Sequence, residues 1–122
     1  MTTENLEPGL SAKLEVEVTK DLTVNPTERP GAEVLSTPSL LSLMEQCSIK
    51  TVHPSLSAGS TTVGFAVDKL RHLAPTAIGA TVVVRSVLTN VDGNKLTFSI
   101  EAFEGDNKIG VANHRRAIIP RD

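Results

Sequence analysis

One stretch of this 122-residue chain carries a helical period, and almost everything after it carries a strand period. Leu40, Leu43, Met44 and Cys47 recur at spacings of three and four, which lays an apolar stripe along one helix face. Thr37-Pro38 reads as the start, with a hydroxyl residue at the N-cap and Pro at the first helical position. The pattern predicts a helix to about Thr51, ahead of Pro54. A single helix of this length cannot cover both faces of a sheet.

The strands follow from alternation. Leu14, Val16 and Val18 alternate with Lys13, Glu15 and Glu17, predicting a half-buried strand within residues 10–24. Residues 25–33 hold Pro26, Pro30 and Gly31 and read as a loop. Strands are predicted over residues 62–70, 80–91, 95–103 and 108–119, with turns at Asp92-Gly93 and at Gly105-Asp106-Asn107. In the fourth, Leu96, Phe98, Ile100 and Ala102 oppose Lys95, Thr97, Ser99 and Glu101. The order is strand, helix, four strands, the last three as a meander. The economical α+β architecture is an antiparallel sheet of about five strands wrapped around one helix.

Residues 1–122 read as a single domain, with residues 1–9 expected to be a flexible tail. The chain is 39% apolar but has three Phe, no Trp and no Tyr, so its core must be built mainly from aliphatic side chains. Such a thin core would gain from a second subunit. The run Val82-Val83-Val84 breaks strict alternation and points the same way, towards a homodimer. A net charge of −2 argues against a nucleic-acid groove. No apolar run approaches a membrane span, and the polar start of the chain has no signal-peptide core, so a cytoplasmic protein is expected. Cys47 is the one cysteine, and His53, His72 and His114 have no ligand-like spacing, so neither a disulfide nor a metal site is expected.

The segment Val34-Leu35-Ser36-Thr37-Pro38 with Leu43-Met44-Glu45 resembles the helix entry of the fluoroacetyl-CoA thioesterase family. The likeness continues in Pro54-Ser55-Leu56, residues 59–64, Arg71-His72-Leu73-Ala74-Pro75-Thr76 and His114-Arg115-Arg116-Ala117, spanning about residues 12–119. The resemblance implies the hotdog fold and hydrolysis of a small or medium acyl-CoA, with CoA entering only as part of the substrate and no cofactor. It implies Thr37, Glu45 and His72 as the catalytic set, with Gly64 beside the thioester. The family's Phe-bearing lid has no counterpart here, because residues 25–33 contain no Phe. The resemblance therefore implies thioesterase chemistry without the lid's selectivity. A non-catalytic acyl-CoA-binding domain and a hotdog dehydratase or hydratase are the alternatives.

Read from the residues alone, each position also has a plainer role. Thr37 is a capping residue, His72 opens a loop, Glu45 faces solvent beside Gln46, and Gly64 marks a strand bulge. Buried, Glu45 would instead have its pKa raised towards a general-base value. Cys47 lies on the apolar stripe and reads as a small buried hydrophobe. His53 reads as a surface residue. Arg115 or Arg116 either meets CoA phosphates or lies on a solvated strand face. Arg116 is carried forward as substrate-binding. Thr37 and Glu45 stand eight residues apart, about 12 Å along a helix axis. They cannot bond directly unless the helix starts late or two chains contribute to each site, which is one reason to expect a composite site at a dimer interface.

Overall fold

A computed structural model describes residues 6–23 and 33–121. The elements are β1 (Ser11–Glu17), α1 (Thr37–Val52), β2 (Ser60–His72), β3 (Thr81–Asp92), β4 (Lys95–Glu104) and β5 (Asn107–Pro120), with one-turn 3-10 helices at Lys20–Leu22 and His53–Ser55. The five strands form one antiparallel sheet in the order β1-β3-β4-β5-β2. Helix α1 lies across its inner face, chiefly against β3 and β1, which is the hotdog layout expected.

Several boundaries differ from the sequence reading. The first strand ends at Glu17, and the chain then turns through the 3-10 helix instead of continuing to Val24. Strand β2 runs two residues past Leu70, so His72 ends a strand and does not open a loop. The β3–β4 loop is Gly93-Asn94, since Asp92 still pairs with Lys95. Gly93 has φ 61°, which suits the first central position of a type II′ turn and the right-handed strand twist. Leu6, at the end of the expected tail, is buried, and the Gly9 amide donates to the Leu88 carbonyl. The lid stretch discussed above lies outside the described residues, apart from Glu33.

The core is aliphatic, as composition required. Leu40, Leu43, Met44 and Cys47 of α1 pack on Val82, Val84 and Leu88 of β3 and on Leu96, Phe98 and Ile100 of β4. Val83, the middle residue of the valine run, is half-buried. Cys47 is buried with its thiol towards the Ala12 and Val84 carbonyls, and burial pushes its pKa up, as fits an inert core residue. His53 is exposed. Gly110 permits the close approach of helix to sheet: a Cβ there would stand 2.8 Å from Leu40 Cδ2 and 3.3 Å from Met44 Cε.

Candidate active site

The start of α1 is capped by Ser36 and not by Thr37. Ser36 is extended, and its Oγ accepts from the Ser39 amide at 3.1 Å, while Thr37 and Pro38 occupy the first two helical positions. Because Ser36 serves the orphan amide, the Thr37 hydroxyl is free for another partner. That partner is His72 at the end of β2, with Thr37 Oγ1 2.8 Å from His72 Nδ1. Burial pushes the His72 pKa down from its ordinary value, favouring the neutral ring. Its Nε2 is buried without a partner among the described residues. Both side chains line a cleft of about 330 Å³, walled by Val34, Leu35, Leu73, Ala74 and Pro75. A neutral imidazole bonded to an accessible hydroxyl can hold or pass a proton at this mouth.

A second polar cluster lies under the sheet near β2 and β5. Arg116, predicted as exposed or phosphate-binding, is 6% exposed and faces inward. Its Nε donates to Thr62 Oγ1 at 2.8 Å, and its Nη2 donates to the Thr62 carbonyl at 3.0 Å. His114 is 1% exposed, with Nδ1 2.9 Å from the Ala66 carbonyl and Nε2 3.1 Å from Arg116 Nη1. Gly64 faces this pair directly across the β2–β5 ladder. A Cβ on Gly64 would come within 2.9 Å of His114 Cε1 and 3.1 Å of Arg116 Nη1. Glu45 is half-buried, and its charge raises the pKa of both Arg116 and His114, opposing the larger effect of burial.

The five predicted site residues therefore fall into two groups within one chain. Thr37 and His72 meet; Glu45 shares an electrostatic neighbourhood with Arg116, which adjoins Gly64. Thr37 and Glu45 are two helical turns apart and do not meet. Gly64 and His72 occupy the same strand, eight residues or roughly 25 Å apart. The sequence reading missed His114 and Thr62 as partners of Arg116, and Ser36 as the cap.

The five-stranded sheet closed round one helix puts the chain among the hotdog-fold proteins. The family described as fluoroacetyl-CoA-specific thioesterase matches residues 18–122, and the chain belongs to that family. The fluoroacetyl-CoA thioesterase of Streptantibioticus cattleyicolor is 34% identical over 87 residues, 71% of this chain. The match spans 62% of that relative's length. A mutant of a fluoroacetyl-CoA-specific thioesterase, solved in complex with fluoroacetate and CoA, is 30% identical and superposes with a TM-score of 0.83 over 93% of this chain and 95% of its own. A thioesterase superfamily member from Thermus thermophilus is 30% identical, with a TM-score of 0.87 over 97% and 87% of the two chains. Among the described residues, no helix is long and apolar enough to cross a membrane.

Proposed function

We propose that this chain hydrolyses small or medium acyl-CoA thioesters, and the observation that carries the reading is the Thr37–His72 contact at the mouth of the cleft. Water adds to the thioester carbonyl carbon, the carbon–sulfur bond breaks, and CoA leaves as a stable thiolate. The neutral His72 ring takes the proton of the attacking water or returns it to the leaving group, with the Thr37 hydroxyl orienting the water or the thioester oxygen. Glu45 supplies a carboxylate for the same proton traffic. Arg116 and the backbone at Gly64 face the carbonyl oxygen as negative charge develops on it. Side chains and water suffice for each step, and the substrate class fits a cytoplasmic enzyme.

The two groups come together in a homodimer. Strand β2 is an edge strand of 13 residues whose outer ladder is unpaired among the described residues. It presents Val63 and Phe65, 42% and 47% exposed. An antiparallel pairing of β2 with its own copy, centred near Asp68, sets Gly64 of one protomer opposite His72 of the other. The cleft of one subunit then receives the Gly64–Arg116 group of its partner. An unpaired edge of this length otherwise invites uncontrolled pairing, which the second copy prevents.

A panel of acyl-CoAs with a thiol-trapping dye tests the reading. The expected result is thiol release that falls with Thr37→Ala, Glu45→Ala and His72→Ala. Tight acyl-CoA binding with no thiol release overturns hydrolysis in favour of a sensing domain. Discrimination between fluoroacetyl-CoA and acetyl-CoA is expected to stay within roughly 10- to 200-fold, the range a small hydrophobic pocket achieves without an aromatic lid.

A further inference from the structure

We propose that His114 is a positioning residue: a neutral ring held in one tautomer, whose Nε2 lone pair fixes the Arg116 guanidinium beside Gly64. The proposal rests on the hydrolysis reading above only for what Arg116 then does.

The tautomer follows from two contacts with opposite demands. The Ala66 carbonyl is solely an acceptor, so His114 Nδ1, 2.9 Å away, carries the hydrogen and donates. A guanidinium is solely a donor, so Nε2, 3.1 Å from Arg116 Nη1, carries the lone pair and accepts. A doubly protonated ring would set N–H against N–H at that second contact. Burial is the largest influence on the His114 pKa and lowers it, and the Arg116 charge acts in the same direction. The other charged group acting on the ring is Glu45 from α1, which opposes them. From β2 and β4 the neighbours are the Ala66 carbonyl and the Phe98 ring, 6.3 Å between centroids, and neither titrates.

The consequence for Arg116 is rotational. A guanidinium has five N–H donors. Nε and Nη2 are each anchored on Thr62, and Nη1 on His114. Three anchors on three nitrogens define the plane completely and leave one N–H on each terminal nitrogen. Nη1 stands 3.1 Å from the place a Cβ on Gly64 would take, so the missing side chain opens that nitrogen to a ligand oxygen. Without His114, the Thr62 contacts alone hold one edge of the guanidinium and leave Nη1 unanchored.

Two kinds of measurement on the intact protein test this. Long-range nitrogen–proton NMR spectra of the imidazole are expected to show Nδ1 protonated and Nε2 unprotonated at neutral pH. An Nε2-protonated or doubly protonated ring there overturns the proposal. His114→Leu keeps bulk and removes the acceptor, whereas His114→Gln restores an acceptor oxygen near the Nε2 position. The Leu variant is expected to lose roughly 100-fold in kcat, the scale of a small misplacement at a reacting centre, and the Gln variant to stay within about tenfold of wild type. The Arg116 Nη1 hydrogens are expected to exchange slowly in wild type and Gln and rapidly in Leu, while the Nε–H held by Thr62 changes little. A Leu variant that turns over like wild type, or a Gln variant no better than a folded Leu variant, overturns the positioning role. If wild type releases no thiol yet the tautomer and the exchange pattern hold, the hydrolysis reading fails and the positioning of Arg116 stands.

Discussion

Thr37 and His72 are 35 positions apart in sequence, yet their side chains meet at 2.8 Å where the first turn of α1 reaches the end of β2. The contact exists because Ser36 takes the capping duty and leaves the Thr37 hydroxyl unspent. Neighbouring serine and threonine residues thus divide two contacts, one capping the helix and one reaching His72.

That division separates activity from stability. Thr37→Ala is expected to lower kcat by roughly 100- to 10,000-fold while shifting stability by less than about 0.5 kcal/mol, as for an exposed, non-capping position. Ser36→Ala is expected to do the reverse, costing about 1 kcal/mol with most activity retained. The double variant Thr37→Ala/His72→Ala is expected to be no slower than the slower single, since the two act as a unit. Thermal melts beside steady-state kinetics read both quantities.

Stability is expected to fall in mild acid. His72 and His114 both have their pKa lowered by burial, so below the ordinary value of 6.5 the unfolded chain binds more protons than the folded one. Their contribution is fully present above 6.5 and is lost as pH falls towards the folded values. Tm measured between about pH 7.5 and 5 is expected to decline, and His114→Gln to decline less steeply. A flat profile in wild type contradicts the burial argument.

Gly64→Ala is expected to destabilise by about 1–3 kcal/mol and to lower activity, because the new methyl meets a ring and a guanidinium that are each pinned by hydrogen bonds. Gly59→Ala is the control: a Cβ there has nothing within 4 Å, and its melt and turnover are expected to match wild type.

Light scattering on the purified protein is expected to give about 26 kDa, twice the chain mass of 13.0 kDa. Val63→Lys/Phe65→Lys on the edge strand is expected to yield a folded species of half that mass with little thiol release. A wild-type monomer with full activity contradicts the shared site.

How much of this was readable beforehand varies by element. The helix and the alternation of β4 were legible because each is a long run of one period. Strand β5 was not. A tight turn at Gly105-Asp106 pairs Glu104 with Asn107, and continuing that register would set His114 opposite half-buried Thr97, on the other face from Phe98. A bulge between Ala102 and Phe103 shifts the ladder by one, so His114 instead faces Phe98 and Arg116 faces Leu96. One extra residue exchanges the faces of everything beyond it. No local signal marks the bulge, and the buried His–Arg pair was therefore invisible from alternation. Thr37 was identified as a site residue through the family likeness, while its side-chain partner depended on which of two adjacent hydroxyls caps the helix.

Gly110 touches neither polar cluster's hydrogen bonds, but it is paired with His72 across the β2–β5 ladder and lies against Leu40, one turn along the helix from Thr37. It therefore works as a spacer of zero thickness between the helix and the sheet. A methyl group there would press on Leu40 and Met44, on the same helix that carries Thr37 to its 2.8 Å contact with His72. In a saturation-mutagenesis map such a position scores like a member of the reaction machinery while sharing no chemistry with it. The tolerance of this fold to sequence drift is narrowest where the chain has no side chain at all.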